Sequence, residues 1–322
     1  MLSSRLLPRP SLYGRRLFSR VHHAEEKQRV DLSFNLLKPL NPGQETSSSE
    51  GPLVILHGLF GSKRNWSSLC KAFHRDLPGR AVYSLDLRNH GSSPHARPMT
   101  YQTMAEDVRH FLETHGLNNV SLLGHSMGAK VAMSIALSLA EKNPKDETIS
   151  RLIVADMAPV KAELSIRLSQ YISAMQDVNA MPAGMIKSLP DADRILAHFE
   201  QETKNPAVRQ FLLTNLLLPS HSRTSHTHEK AKFALPLSIL QDALPDLAEF
   251  PYDHKEATHP TFDRPTLVIS GTHSEYRILD HTKAFKTFFP RAKLESLDAG
   301  HWVHAERPNE FKKLVVDFIK ST

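Results

Sequence analysis

The chain is predicted to be an α/β protein, with a mostly parallel central sheet, helices on both faces and an inserted helical lid. Three observations predict it. From Pro52 onward, short apolar runs alternate with longer segments of helical periodicity, the pattern of strands joined by crossover helices. The alternation stops between residues 160 and 259, where helical patterning runs alone, and then resumes. Within the alternating region, Gly124-His125-Ser126-Met127-Gly128 joins an apolar run to a helix-patterned one. A sharp strand-to-helix turn at this G-x-S-x-G spacing holds a serine side chain exposed.

Taken in order, residues 1–23 come first. They contain Arg5, Arg9, Arg15, Arg16 and Arg20 with no lysine and no acid. Arg-rich, Ser-containing and acid-free, this stretch reads as a mitochondrial transit peptide, which predicts a mitochondrial, matrix location. Arg16-Leu17-Phe18-Ser19 resembles a processing site with cleavage after Phe18. The formal net charge is +6, and setting those five arginines aside leaves the body near +1. Nucleic-acid binding therefore gains no support from charge. No apolar stretch reaches membrane-spanning length, so no transmembrane segment is expected. Cys70 is the single cysteine, which rules out an intramolecular disulfide.

Residues 24–159 are read as the first part of the core. An edge strand is predicted over 30–37, and the Ser- and Gly-rich segment 41–51 as a loop or hairpin. Strands are predicted over 53–56, 81–86, 120–123 and 152–155, with helices over 66–73, 101–115 and 127–142. Residues 160–259 are read as the lid, with helices over 166–178, 192–202 and 208–218 and no clear strand. His221, His226 and His228 lie in a polar stretch there that reads as a solvated loop, and no metal site is predicted. Residues 260–322 complete the core, with strands over 267–270 and 293–297 and helices over 279–288 and 309–319.

A serine hydroxyl needs a base to take its proton and a third group to orient that base. After a nucleophile elbow the expected order is Ser, acid, His. His301 fits the base, in Asp298-Ala299-Gly300-His301-Trp302-Val303-His304 after the last strand, because Gly300 supplies a bend; His304 is the competitor. Trp302 reads as a core anchor. Asp156 is the favoured acid. Glu275 in Gly271-Thr272-His273-Ser274-Glu275 is the alternative, with Ser274 a hydrogen-bonding helper. Backbone N–H groups of Met127 and of Leu59, in His57-Gly58-Leu59-Phe60-Gly61-Ser62, are the candidate oxyanion donors. Asp86 and Arg88, in Asp86-Leu87-Arg88-Asn89-His90-Gly91, read as structural ties, and His90 as no base.

These stretches, with Asp156-Met157-Ala158-Pro159-Val160 and Val208-Arg209-Gln210-Phe211-Leu212-Leu213-Thr214-Asn215-Leu216, resemble the α/β-hydrolase fold superfamily. More narrowly they resemble the mitochondrial group of α/β-hydrolase-domain-containing protein 11 and the yeast ethanol (alcohol) acetyltransferases. Ala129 departs from that pattern, standing where a second glycine is usual. The resemblance implies Ser126, Asp156 and His301 as a catalytic triad and an acyl-serine intermediate. It implies small-molecule esters, thioesters or alcohols as substrates and no cofactor, with acetyl-CoA serving as acyl donor. The expected activity is an alcohol acetyltransferase with esterase and thioesterase side activity. The alternatives are an ester or acyl-CoA hydrolase and, in another class, a non-catalytic mitochondrial binding partner.

Overall fold

The computed structural model describes residues 29–40, 51–162, 166–199, 206–219 and 230–322. The predicted leader, most of segment 41–51, and His221, His226 and His228 lie outside the described residues.

In chain order the elements are β1 (Phe34–Leu37), β2 (Leu53–Leu56), α1 (Ser67–Asp76), β3 (Val82–Leu85), α2 (Tyr101–Thr114), β4 (Val120–His125), α3 (Met127–Lys142) and β5 (Ile149–Ala155). Then follow α4 (Ile166–Ala180), α5 (Leu189–His198), α6 (Pro206–Leu213), β6 (Leu216–Leu217), β7 (Lys232–Phe233) and α7 (Leu237–Ala248). The chain ends with β8 (Thr266–Gly271), α8 (Thr282–Phe288), β9 (Ala292–Leu297), α9 (Val303–Glu306) and α10 (Pro308–Ser321).

The main sheet has the order β1-β3-β2-β4-β5-β8-β9. Among the described strands of this sheet only β1 runs antiparallel, pairing Phe34 with Leu85 through Leu37 with Val82. Every residue of β2, β3, β4 and β8 is buried, which explains their continuous apolar runs: a parallel strand covered on both faces has no wet side. Alternate residues serve opposite faces. Val54, Leu56, Leu122 and Val154 join the core with α2 and α3, whereas Leu53, Ile55, Leu123 and Ile153 face Phe73 of α1 and Phe311 and Val315 of α10. Full burial of each such side chain contributes about 2 kcal/mol. At the start of α2, Thr100 accepts a hydrogen bond from the Thr103 N–H, satisfying one of the open first-turn donors.

Between β5 and β8 the chain leaves the sheet, and α4 to α7 pack above it. Three details differ from the sequence reading. A two-stranded antiparallel ladder, β6 with β7, stands where no strand was expected. The helix expected over 208–218 ends at Leu213, because Asn215 turns to donate its side-chain N–H to the Phe60 carbonyl at 2.8 Å. Helix α7 was not anticipated. Leu237, Leu240, Leu244 and Leu247 give it a helical apolar face, but Pro236 and Pro245 read as breaks.

Candidate active site

The sheet order places a switch point at β2: the chain steps to β3 on one side and returns to β4 on the other. The crevice beyond the carboxyl ends of such strands is where open α/β sheets hold ligands. The loop after β2 and Ser126 after β4 both open onto it.

Ser126 has φ 52°, a left-handed conformation costly for a residue with a side chain. Close packing enforces it. A Cβ on Gly128 would lie 2.5 Å from the His57 carbonyl oxygen, and one on Gly124 would lie 2.2 Å from that of Gly128. Only glycine lets β4 turn into α3 this tightly. Ala129 fits the next position, wholly buried in the core.

Asp156 follows β5, also at positive φ, and is completely buried. Its carboxylate accepts from the Gly271 N–H at 2.8 Å, from the Ser274 hydroxyl at 2.5 Å and from His301 Nδ1–H at 2.7 Å. These three donors satisfy a charge that would otherwise be expensive to bury. The His301 loop is held on further sides. His125 Nε2–H donates to the His301 carbonyl at 2.9 Å, and Glu306 accepts from the N–H groups of Gly300 and Trp302. The Tyr276 ring lies 4.4 Å from the His301 ring.

Glu275, the alternative acid, is turned elsewhere: it is more than half exposed and faces Arg167 on α4 at 3.7 Å. His304 is buried and stacks on Trp66 with ring centroids 4.3 Å apart. Trp302 is only partly buried, its ring 6.0 Å from Phe211 beside the cavity, rather than the core anchor its size suggested.

The N–H groups flanking the serine fall into two sets. Those of Phe60 and Gly61 are already committed, to His90 Nε2 and the Gly58 carbonyl. Met127 begins α3, so its N–H has no helical partner. Leu59 precedes the committed pair in the same turn. Ser126, Leu59, Met127 and His301 share one cavity of about 1040 Å³, walled by Leu168 and Tyr171 from α4 and Val208 and Phe211 from α6.

Buried histidines frame this arrangement. His57 accepts from the Leu87 N–H at 3.0 Å and donates to the Gly58 carbonyl at 2.8 Å. His90 donates to the Arg88 carbonyl while accepting from Phe60. Arg88 forms a two-pronged pair with Asp107 of α2, and Asp86 pairs with Lys63, so both act as the ties expected. Burial lowers the pKa of His57 and His125, and takes those of His90 and His304 down to about 3. The folded protein therefore binds fewer protons than the unfolded chain below pH 6.5, so these groups make stability rise with pH there. The denaturation midpoint is expected to fall steadily as pH drops from 6.5 towards 3. Chemical denaturation across that range checks it, and a flat profile would contradict it.

Sequence reasoning missed Lys130, Tyr276 and Glu306, whose importance comes from tertiary neighbours that no local motif marks. Among the described residues no cluster of three or more His, Cys, Asp or Glu side chains could hold a metal ion. No helix there is long and apolar enough to cross a membrane.

Residues 51–308 match the alpha/beta hydrolase fold family, and the chain belongs to it. It is an enzyme of that fold. Among its relatives is a protein of Saccharomyces cerevisiae named as a probable alcohol acetyltransferase, 38% identical over 90% of this chain and 84% of that one. Another, from Xenopus laevis, is named as the sn-1-specific diacylglycerol lipase ABHD11 and is 35% identical over 91% and 85% of the two chains. A solved marine microorganism esterase superposes with a TM-score of 0.72 at 29% identity, covering 90% of this chain and 99% of that one. Fold and family together support acyl transfer or hydrolysis.

Proposed function

We propose that the protein transfers an acyl group through a covalent acyl-serine at Ser126, with Asp156 and His301 completing the triad. The observation that carries this is the convergence of Ser126, the Asp156-bound His301 and two N–H donors on one cavity.

In this reading Ser126 Oγ attacks the acyl carbonyl while His301 Nε2 takes its proton. Asp156, receiving Nδ1–H, fixes the tautomer that leaves Nε2 free to act as base. The N–H groups of Leu59 and Met127 stabilise the oxyanion, each supplying on the order of 3 kcal/mol. The leaving thiolate or alkoxide collects the proton from His301, and acyl-Ser126 remains. An acceptor hydroxyl then loses its proton to His301 and attacks the acyl carbon. Ser126 Oγ departs with that proton.

The preferred direction is acetyl-CoA plus an alcohol giving an acetate ester. The named yeast relative and the mostly apolar walls contributed by α4 and α6 support it, since a lid of this kind limits water at the acyl-enzyme. Hydrolysis is the second reading, favoured by the lipase-named relative. The Arg-rich leader supports a mitochondrial location. Product analysis with acetyl-CoA and ethanol separates the two readings. Ethyl acetate is the expected product; acetate with no ester would make hydrolysis the activity.

A further inference from the structure

Lys130 lies one helical turn beyond Ser126 on α3, yet only 2% of it is exposed. Its Nζ donates to the carbonyls of Ala248 at 3.2 Å and Glu249 at 2.8 Å, where α7 of the inserted helical layer ends. A second core residue grips the same turn. The Tyr101 hydroxyl, from α2, donates to the Leu247 carbonyl at 2.9 Å, and the Lys130 ammonium sits 5.2 Å from the Tyr101 ring centroid. Three successive carbonyls are thus satisfied from below, by the helix that carries the nucleophile and by its neighbour.

A helix end exposes carbonyls and a partial negative charge, which a cation relieves. Helix α7 has no basic residue in its own last turn. The cation it receives comes from the core, and both Lys130 and Tyr101 border the cavity that Ser126 opens into. Burying an ammonium is costly, and surface placement would cap the helix more cheaply. Lys161, paired with Glu249 at the surface, shows that an exposed cation is available at the same end.

We propose that Lys130 and Tyr101 set acceptor choice by clamping the α7 end of the lid onto the nucleophile helix, keeping water from acyl-Ser126 while an alcohol binds. This rests on the acyl-serine reading and concerns its second half. The acyl carbon takes either an alcohol oxygen, giving ester, or a water oxygen, giving acid; in both, the proton passes through His301 to Ser126 Oγ. A lid end without its partners opens more often, and each opening admits bulk water, present in large excess over dilute alcohol.

The experiment measures the ratio of ester to acid formed from acetyl-CoA at fixed ethanol, alongside fluorophosphonate labelling of Ser126 and the thermal midpoint. Lys130→Met keeps the unbranched apolar stem, one atom shorter, and removes its donors. Because bonds from a charged donor are among the stronger ones, the ratio is expected to fall by about tenfold in Lys130→Met and about threefold in Tyr101→Phe. Lys161→Ala, which breaks only the exposed pair, is expected to leave the ratio unaltered. Should Lys130→Met fail to fold, Tyr101→Phe, which loses a single hydroxyl, tests the clamp through its own fall of about threefold. A lowered thermal midpoint with an unaltered ratio would overturn the clamp and leave a purely structural lysine. Absence of Ser126 labelling in the unmodified protein would instead overturn the acyl-serine reading itself.

Discussion

Replacing Ser126 with alanine is expected to lower turnover of ester and thioester alike by about a million-fold, to the level that binding and oxyanion donors alone sustain. The loss should appear in kcat. The serine side chain makes little contribution to packing, so the thermal midpoint should move by no more than about 2 °C. Steady-state kinetics with an activated acetate ester, paired with a thermal melt, checks both halves. Residual activity within about tenfold of the unmodified enzyme would mean that another group forms the acyl intermediate.

The second large effect separates the two candidate acids. Asp156→Asn keeps the shape of the side chain, and its carbonyl oxygen can still accept from Gly271 N–H or Ser274. It cannot serve all three donors, and an amide N–H facing His301 Nδ1 favours the wrong tautomer. A fall in kcat of about ten-thousand-fold is expected. Glu275→Gln should change kcat by less than about threefold, because that carboxylate is exposed and its Arg167 partner is 3.7 Å away. The comparison requires both variants in one assay. If Glu275→Gln abolishes turnover and Asp156→Asn does not, the acid is Glu275.

The contrast between these carboxylates also shows what a sequence can and cannot disclose. Ser126 and His301 sit in local patterns: a glycine-flanked turn between an apolar run and a helix, and a glycine bend after the last strand. Local chain geometry produces both, so both could be read. The acid was legible only as a preference for Asp156 over Glu275, because the Asp156–His301 bond joins residues 145 positions apart and depends on β5, β8 and β9 lying side by side. The central strands β2, β3, β4 and β8 were legible because burial on both faces forces continuous apolar runs. The β6–β7 ladder, two residues per strand, has too little pattern to register, and α7 was hidden behind its prolines. Lys130 is the sharpest case. In the sequence no local motif marks it, and only the arrival of a distant helix end supplies the carbonyls that its buried ammonium donates to.

The buried histidines follow the same rule. His57, His90 and His125 could each be taken for a catalytic base from their place beside glycines. The structure commits each to a backbone partner and burial keeps each neutral, leaving His301 as the imidazole paired with a buried carboxylate.

An acyl group that passes through Ser126 can be caught there during turnover. The protein is mixed with acetyl-CoA or an activated acetate ester, quenched in acid during turnover, digested and analysed by mass spectrometry. One acetyl group is expected on the peptide containing Ser126, located on that residue, and lost when alcohol or water is given time to react. Steady turnover with that peptide unmodified at every quench time would contradict acyl transfer through Ser126.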